Sequence, residues 1–294
     1  LSLPTTFGGS MPSENYGKMN SYGFEIELNY HNNIGELSYE VQGNFSYATT
    51  KVKLADVAEG ALDVDNPNGK TLGYTATYIS TGIIRTQAEL DQLPDGYTIF
   101  GAKPALGHLN YEDISGIGGQ PDGKIDGYDR RIISNYSQGT APYSVGLNLN
   151  VAWKGFTLNT FFQSTFGYQK LYNDNWSRGF PLDARVYAFW NDHWTPDNVD
   201  GKYPAMQAPG EPSSSTPSTF WYENGGYIRL KNLSLGYNLP QKWLEKIKIQ
   251  QTRIYINGTN LFYLSSFGWY DPEISSLASY PNMKTWNLGL SITL

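Results

Sequence analysis

Seven segments of the chain alternate apolar and polar residues with a period of two. In the clearest of them, residues 143–153, apolar side chains occupy every odd position, and Ser, Gly, Asn or Ala occupies every even one. Successive side chains of a β-strand point to opposite faces, so this period predicts strands with one apolar and one polar face. The seven predicted strands are residues 22–30, 37–47, 143–153, 156–168, 227–239, 253–264 and 286–294.

The order of residues along the strand at 143–153 is typical of a membrane-facing strand. Tyr143 and Trp153 stand at the two ends of its apolar face, with aliphatic residues between them. Aromatic rings favour the two membrane interfaces, and aliphatic side chains favour the hydrocarbon. A soluble β-sandwich, whose apolar faces pack on a second sheet, shows the same alternation. The strand pattern alone therefore leaves both folds open.

The lengths of the connections favour a barrel. Short or moderate links at residues 31–36, 154–155 and 240–251 alternate with long loops at residues 50–142, 169–226 and 265–283. Outer-membrane barrels have short periplasmic turns and longer extracellular loops. We therefore predict an all-β fold in which residues 1–294 form an antiparallel transmembrane β-barrel segment with long extracellular loops. Seven strands is an odd number and a wall in lipid must close, so we expect further strands from outside this sequence.

Composition narrows the class of protein. Charged residues make up 16% of the chain, below the roughly 25% usual for soluble domains. No run approaches the ~18 apolar residues of a transmembrane helix. The absence of cysteine excludes disulfides and thiolate metal sites. The net charge of −6, without a cluster of Lys and Arg, argues against nucleic acid as a partner.

A series of motifs runs in order along nearly the whole chain. They are residues 15–19 with 23–25, 122–130, 154–156 with 161–167, 194–204, 227–237, 260–262 and 270–273. Together they resemble the C-terminal portion of the SusC/RagA family of TonB-dependent outer-membrane transporters. Two positions depart from the family pattern: Ser21 stands where the first motif has a second Asn, and Leu294 stands where such barrels commonly end in Phe.

The resemblance implies a fold, a location and a set of partners. It implies a 22-stranded barrel in the outer membrane of a Gram-negative bacterium, whose plug and N-terminal strands are not among these residues. It also implies the energised import of oligosaccharides or peptides. The implied partners are the remaining strands and plug, membrane lipid, a SusD-like lipoprotein that caps the barrel, TonB acting through the plug, and the glycan or peptide substrate. The alternative function is that of a soluble β-sandwich carbohydrate-binding module.

The acidic loop after residue 112 is the candidate metal site. Its pattern follows the second half of an EF-hand-type loop, which presents oxygens at alternating positions and a Gly at the sharp turn. The predicted ion is Ca²⁺, and the alternative is an Asp/Gly-rich turn whose carboxylates cap backbone N–H groups. The candidate ligands are Asp113, Asp122, the carbonyl of Lys124, Asp126 and Asp129.

Aromatic side chains of the long loops are the candidate substrate site. Exposed rings hold the apolar faces of sugars or the side chains of peptides, and the alternative is that the rings form small cores inside the loops. The candidates are Trp176, Trp190, Trp194 and Trp221.

We predict no catalytic residue and no enzymatic activity. The three His residues lie far apart, and no nucleophile elbow or phosphate loop is present. Asp122 and Asp126 could form a glycosidase pair, but nothing in the sequence indicates the burial that such a pair needs.

Overall fold

The structure is a computed structural model that describes residues 15–172, 188–206, 212–245, 248–276 and 279–294. Its short helices are α1 (Gln87–Asp91), α2 (Pro212–Ser215) and α3 (Gln241–Leu244). In the ranges given, no helix has both the length and the apolar character to cross a membrane. The strands are β1 (Lys18–Ile34), β2 (Leu37–Leu54), β3 (Thr75–Tyr78), β4 (Ser80–Ile83), β5 (Thr98–Ile99), β6 (Leu109–Tyr111), β7 (Lys124–Ile125), β8 (Arg130–Ser134), β9 (Tyr143–Trp153), β10 (Phe156–Phe166), β11 (Gln169–Leu171), β12 (Tyr222–Asn224), β13 (Tyr227–Asn238), β14 (Gln251–Ser265) and β15 (Thr285–Thr293).

Seven long strands form one antiparallel sheet, which we call the wall. Their order is β1-β2-β9-β10-β13-β14-β15, so strands that follow one another among the seven are neighbours. The wall confirms the predicted all-β fold and all seven predicted strands. β1 and β2 extend beyond their predicted ends, to Ile34 and Leu54, because pairing continues past Asn32 and Thr49, where polar residues interrupt the apolar series.

Short turns join the strands at one end of the wall. Between β9 and β10, Lys154 and Gly155 both have positive φ, at 49° and 89°. A two-residue hairpin loop with two positive φ values matches the right-handed twist of the strands, and glycine adopts this conformation without a steric penalty. The long loops therefore all leave from the opposite end.

The wall is a single layer. Its outer face carries the apolar side chains of each strand, and those on β1 and β15 are largely exposed; Leu288 is 81% exposed. Within the described residues no second sheet covers this face. The alternative of a β-sandwich is therefore wrong, because a sandwich buries its apolar faces between two sheets.

Aromatic rings form two bands across the outer face. Near the long loops, the ring of Tyr143 lies 5.2 Å from that of Tyr47 and 5.1 Å from that of Phe166. Near the short turns, Phe156 and Tyr237 lie 4.4 Å apart. Ten residues along β9 span about 34 Å, or about 26 Å along the membrane normal at a tilt of ~40°. This distance matches the apolar height of an outer-membrane barrel, which is about 25 Å.

The three long loops fold together into a module with its own core, which we call the loop module. Four small sheets, β3–β8, β4–β6, β5–β7 and β11–β12, build its frame. Its buried core takes residues from all three loops: Ile83, Ile84, Tyr97, Ile99, Leu109, Tyr111, Ile125, Tyr172, Trp190, Trp194, Tyr203, Trp221, Phe267 and Tyr270.

Candidate functional site

The inner face of the wall is polar and rich in amide side chains. The strand register places one residue from each strand in a continuous row across the wall. We call two adjacent rows the carboxamide band. One row is His31, Glu40, Asn150, Asn159, Ser234, Asn257 and Asn287, and the next is Asn29, Gln42, Asn148, Phe161, Asn232, Thr259 and Thr285.

Above the band, a buried ionic cluster joins the wall to the third long loop. Arg229 lies on the inner face of β13, and Lys231 stands at a β-bulge, where the register shifts between Leu230 and Asn232. Arg229 is 1% exposed and pairs with Asp271, and its Nε lies 3.1 Å from the carboxylate of Glu273. Lys231 Nζ lies 2.8 Å from the same Glu273 carboxylate. Two cations of one strand thus hold two acids of one loop.

Neighbouring side chains add hydrogen bonds to this cluster. The hydroxyl of Tyr227 donates to Glu273 at 2.7 Å, and the amide of Asn282 donates to Glu273 at 2.9 Å and to Asp271 at 3.3 Å. The guanidinium of Arg229 lies over the ring of Tyr263 at 4.8 Å. Buried charges are tolerated when opposite charges and hydrogen bonds surround them, as they do here.

Lys170 holds the same loop from β11. It is 1% exposed, and its ammonium donates to the carbonyls of Pro272 and Ile274, each at 2.6 Å. It also lies 4.6 Å from the ring centre of Phe267 and 4.7 Å from that of Tyr270. Burial lowers the pKa of Lys170 to about 8, although the charge of Asp271 opposes this shift.

The second long loop, the third long loop and the wall therefore meet at residues 270–274. We name Lys170, Arg229, Lys231, Asp271 and Glu273 the clamp. Gln138, from the first long loop, reaches the same segment, since its amide donates to the carbonyls of residues 272–274 at 3.1–3.3 Å. The clamp joins the wall to residues 270–274 through ion pairs and hydrogen bonds.

The acidic loop holds its carboxylates against its own backbone. Asp129 is buried and accepts from the backbone N–H groups of Ile114, Ser115 and Asp126 at 2.7, 3.1 and 2.7 Å. Asp113 accepts from the N–H of Gly123 at 2.7 Å.

The remaining acids of that loop behave in the same way. Asp122 accepts from the backbone N–H of Lys124 at 3.1 Å, and Asp126 accepts from that of Tyr128 at 2.9 Å. In the part of the chain that the structure describes, no three or more His, Cys, Asp or Glu side chains converge as a metal site would require. This geometry favours the capping alternative, and calcium binding stays a prediction.

The loop tryptophans lie in the core of the loop module. Trp221 is 0% exposed and its indole N–H donates to the carbonyl of Ser214 at 2.8 Å. Trp190 and Trp194 are also buried, and the indole of Trp194 donates to the carbonyl of Arg85. The burial favours the alternative of a loop core, and a substrate role for these three rings stays a prediction. Trp176 lies outside the described residues.

The sequence interpretation missed the clamp. Two signals could have indicated it: the cations Arg229 and Lys231 two residues apart on a strand, and the acids Asp271 and Glu273 spaced around a proline. Both segments were matched only as motifs of a family. The structure shows that these two motifs lie together because they pair by charge.

Known proteins and solved structures match nearly the whole chain. No family model matches it. The chain is 26% identical over 319 residues to "TonB-dependent receptor P3" of Formosa agariphila, which covers 99% of this chain and 30% of that protein. It is 21% identical over 306 residues to "TonB-dependent receptor SusC" of Bacteroides thetaiotaomicron, which covers 99% of this chain and 28% of that protein. The chain therefore spans about a third of the length of these relatives, which are receptors by name and not enzymes.

A solved structure shares the fold. The structure of "the RagAB peptide transporter" superposes with a TM-score of 0.70 at 20% identity and covers 99% of this chain and 31% of that one. A second structure of RagAB, described as a peptide importer in the "open-open" state, gives the same TM-score. At this identity the likeness establishes the fold alone.

Proposed function

We propose, from the chain's membership of the SusC/RagA type of TonB-dependent receptors, that it forms part of the wall and mouth of an outer-membrane importer of oligosaccharides or peptides. Its seven strands would be about a third of a 22-stranded barrel. The proposed partners are the remaining strands and plug, TonB acting through that plug, and a SusD-like lipoprotein over the loop module. Support for these partners comes from the family resemblance and from the likeness to RagAB.

One observation carries the proposal: the wall is a single sheet that is apolar outside and polar inside. A soluble protein does not leave an apolar face of seven strands uncovered, whereas lipid covers such a face in a barrel. The outer edges of β1 and β15 have no strand partner among the described residues. An unpaired backbone group in hydrocarbon costs several kcal/mol, so in a membrane both edges must pair with further strands.

Neighbouring residues on β15 allow a direct test of orientation. Leu288 lies on the outer face and Asn287 on the inner face. We would place a single cysteine at either position, Leu288→Cys or Asn287→Cys, in the complete transporter with any other cysteine removed. With a fluorophore attached at either cysteine, a lipid-confined spin label should quench the fluorophore at residue 288 and not the one at residue 287. Equal quenching at both positions, or recovery of the protein without detergent, would contradict a barrel.

Import is tested in cells. A strain that lacks the complete transporter should lose growth on one glycan or peptide source, and the intact gene should restore it only when TonB is active. Restored growth without TonB would refute energised import, while the labelling result would stand.

A further inference from the structure

A large open groove, which we call the outer groove, lies on the outer face of the wall near the long loops. Its volume is about 1120 Å³, and the described residues that line it are mostly apolar and all uncharged. Ser164 of β10 pairs with Val145 of β9 on one side and Ile228 of β13 on the other, and it stands between Phe162 and Phe166 on the same face. One small side chain among four large ones leaves the depression.

The outer groove has the depth of one membrane leaflet. It begins at a polar rim that includes Asn224 and Ser266, passes the aromatic band at the level of Tyr143, and ends at Leu149. The six residues from Tyr143 to Leu149 span about 20 Å along the strand, or about 15 Å along the membrane normal at a tilt of ~40°. This is half of the ~30 Å hydrocarbon core. Because the long loops of such barrels are extracellular, the leaflet is the outer one.

The rest of a complete barrel would leave the outer groove open. The four strands that line it, β9, β10, β13 and β14, lie inside the sheet, whereas further strands join at the edges β1 and β15. A plug lies against the inner face, and irregular backbone does not occur where it would meet hydrocarbon. An acyl chain of a membrane lipid therefore fits the groove by polarity, by length and by access.

A cationic patch lies above the aromatic band on the same face, two strands away. Lys51 stands four residues beyond Tyr47 on the same side of β2, about 14 Å along the strand and about 10 Å higher along the membrane normal. The residues beside Lys51, Asn20 on one strand and Thr71 on the other, are uncharged. Lys53 is exposed at the β-bulge just beyond. Two lysines above an interfacial band of rings match the phosphates of a lipid headgroup.

We infer that the outer groove and this lysine patch bind one molecule of lipopolysaccharide, the phosphorylated glycolipid of the outer leaflet. An acyl chain lies in the groove, and a phosphate of the headgroup lies against Lys51 and Lys53. The two places are two strand spacings apart, about 10 Å, so a lipid with several chains and phosphates on one sugar backbone reaches both. The inference rests on the proposed function, since it requires the wall to lie in an outer membrane with its long loops outside.

Native mass spectrometry of the complete transporter, washed free of lipid in detergent, tests the inference. The probes are purified lipopolysaccharide, the same lipopolysaccharide after removal of its phosphates, and phosphatidylglycerol. We expect one lipopolysaccharide per transporter, bound at least about tenfold more tightly than either of the other two lipids.

Two pairs of variants separate the headgroup from the chain. Lys51→Gln with Lys53→Gln should weaken lipopolysaccharide binding about thirtyfold, whereas Lys242→Gln with Lys248→Gln, at the short-turn end, should leave it unchanged.

For the chain, Ser164→Trp fills the outer groove and should weaken binding about tenfold. Ile254→Trp is the matched control, because Ile254 lies on the outer face near the short turns and is 44% exposed, and it should bind lipopolysaccharide as the unmodified protein does.

Three results would overturn the inference. The first is equal affinity for lipopolysaccharide and for phosphatidylglycerol or the dephosphorylated lipid. The second is unchanged binding in both the lysine variant and Ser164→Trp. The third is a Ser164→Trp protein that loses a second copy of the transporter and not lipid, which would show that the groove lies between copies. Import and the quenching at residue 288 are measured on the same proteins; if both persist while lipid binding fails, the inference falls and the proposed function stands.

Discussion

Arg229→Met removes the positive charge that two carboxylates of the third long loop share. Breaking a buried ion pair by removing one partner typically costs about 3–5 kcal/mol, because an unpaired charge stays buried. Glu273 keeps Lys231 at 2.8 Å, and Asp271 keeps the amide of Asn282 at 3.3 Å. We therefore expect the low end, about 3 kcal/mol, which increases the open population of this loop roughly a hundredfold.

Hydrogen–deuterium exchange of the complete transporter in detergent measures this opening. The peptide that covers residues 266–276 should exchange roughly a hundredfold faster in Arg229→Met, while peptides from the centre of β9 should be unaffected. Lys154→Met is the matched control, because Lys154 pairs with Glu36 at 3.2 Å while both side chains are more than half exposed. Exposed pairs contribute about 0–1 kcal/mol, so little change is expected there.

A compensating variant separates charge from packing. Adding Asp271→Asn to Arg229→Met removes the carboxylate that has lost its cation, while Glu273 keeps Lys231, and should restore much of the protection. If Arg229→Met exchanges no faster than Lys154→Met, the clamp does not hold the loop. If the double variant exchanges as fast as the single one, the loss comes from packing and the electrostatic reasoning is wrong.

Three further predictions concern the loop module. The pKa of Lys170 is lowered from 10.5 to about 8, so the folded loop binds the ammonium proton more weakly than the open loop. The free energy that Lys170 contributes to closing the loop, measured by hydrogen–deuterium exchange against Lys170→Met, should therefore rise by up to about 3 kcal/mol as pH increases from 8 to 10.5. A fall over this range would contradict the lowered pKa. Trp221→Ala should destabilise the module by about 3–5 kcal/mol and expose its loops to protease, whereas Trp153→Ala, on the outer face, should not. Asp129→Ala leaves three backbone donors unpaired and should lower the melting temperature of the loop equally in calcium and in chelator; a calcium-dependent difference in the unmodified protein would instead support a cation there.

The wall was predictable because its information is local. The alternation of apolar and polar residues within each strand indicates its two faces, and the short turn at residues 154–155 joins the neighbouring strands β9 and β10 directly. The ends of β1 and β2 were not predicted, because pairing continues there past polar residues, Asn32 and Thr49, that interrupt the apolar series. Lipid on one side and water on the other make the alternation strict, and a one-residue slip would turn every apolar side chain inward.

The loop module was not predictable in the same way, because its contacts join distant residues. Lys170 bonds to the carbonyl of Pro272, 102 residues away, and Trp221 packs with Tyr172 across the second loop. Strands of two to five residues, such as β5 and β7, are too short to show a period. From the sequence alone, the loop tryptophans therefore cannot be told apart from ligand-binding rings. In the structure, three of them are buried in the core of the loop module.

The two halves of the chain follow opposite rules of burial, and this explains where a substitution should matter. The wall has no core of its own: apolar residues face lipid, polar residues face the lumen, and backbone pairing provides its strength. The loop module is surrounded by water and buries aromatic residues in its own core, and the clamp joins it to the wall. Leu288→Arg should therefore cost about 2–4 kcal/mol in a bilayer, where residue 288 lies near the midplane, and less in detergent. The same substitution at Leu109, which is buried in the loop module, should be costly in both media, so comparing the pair in detergent and in bilayers separates lipid from protein as the covering layer.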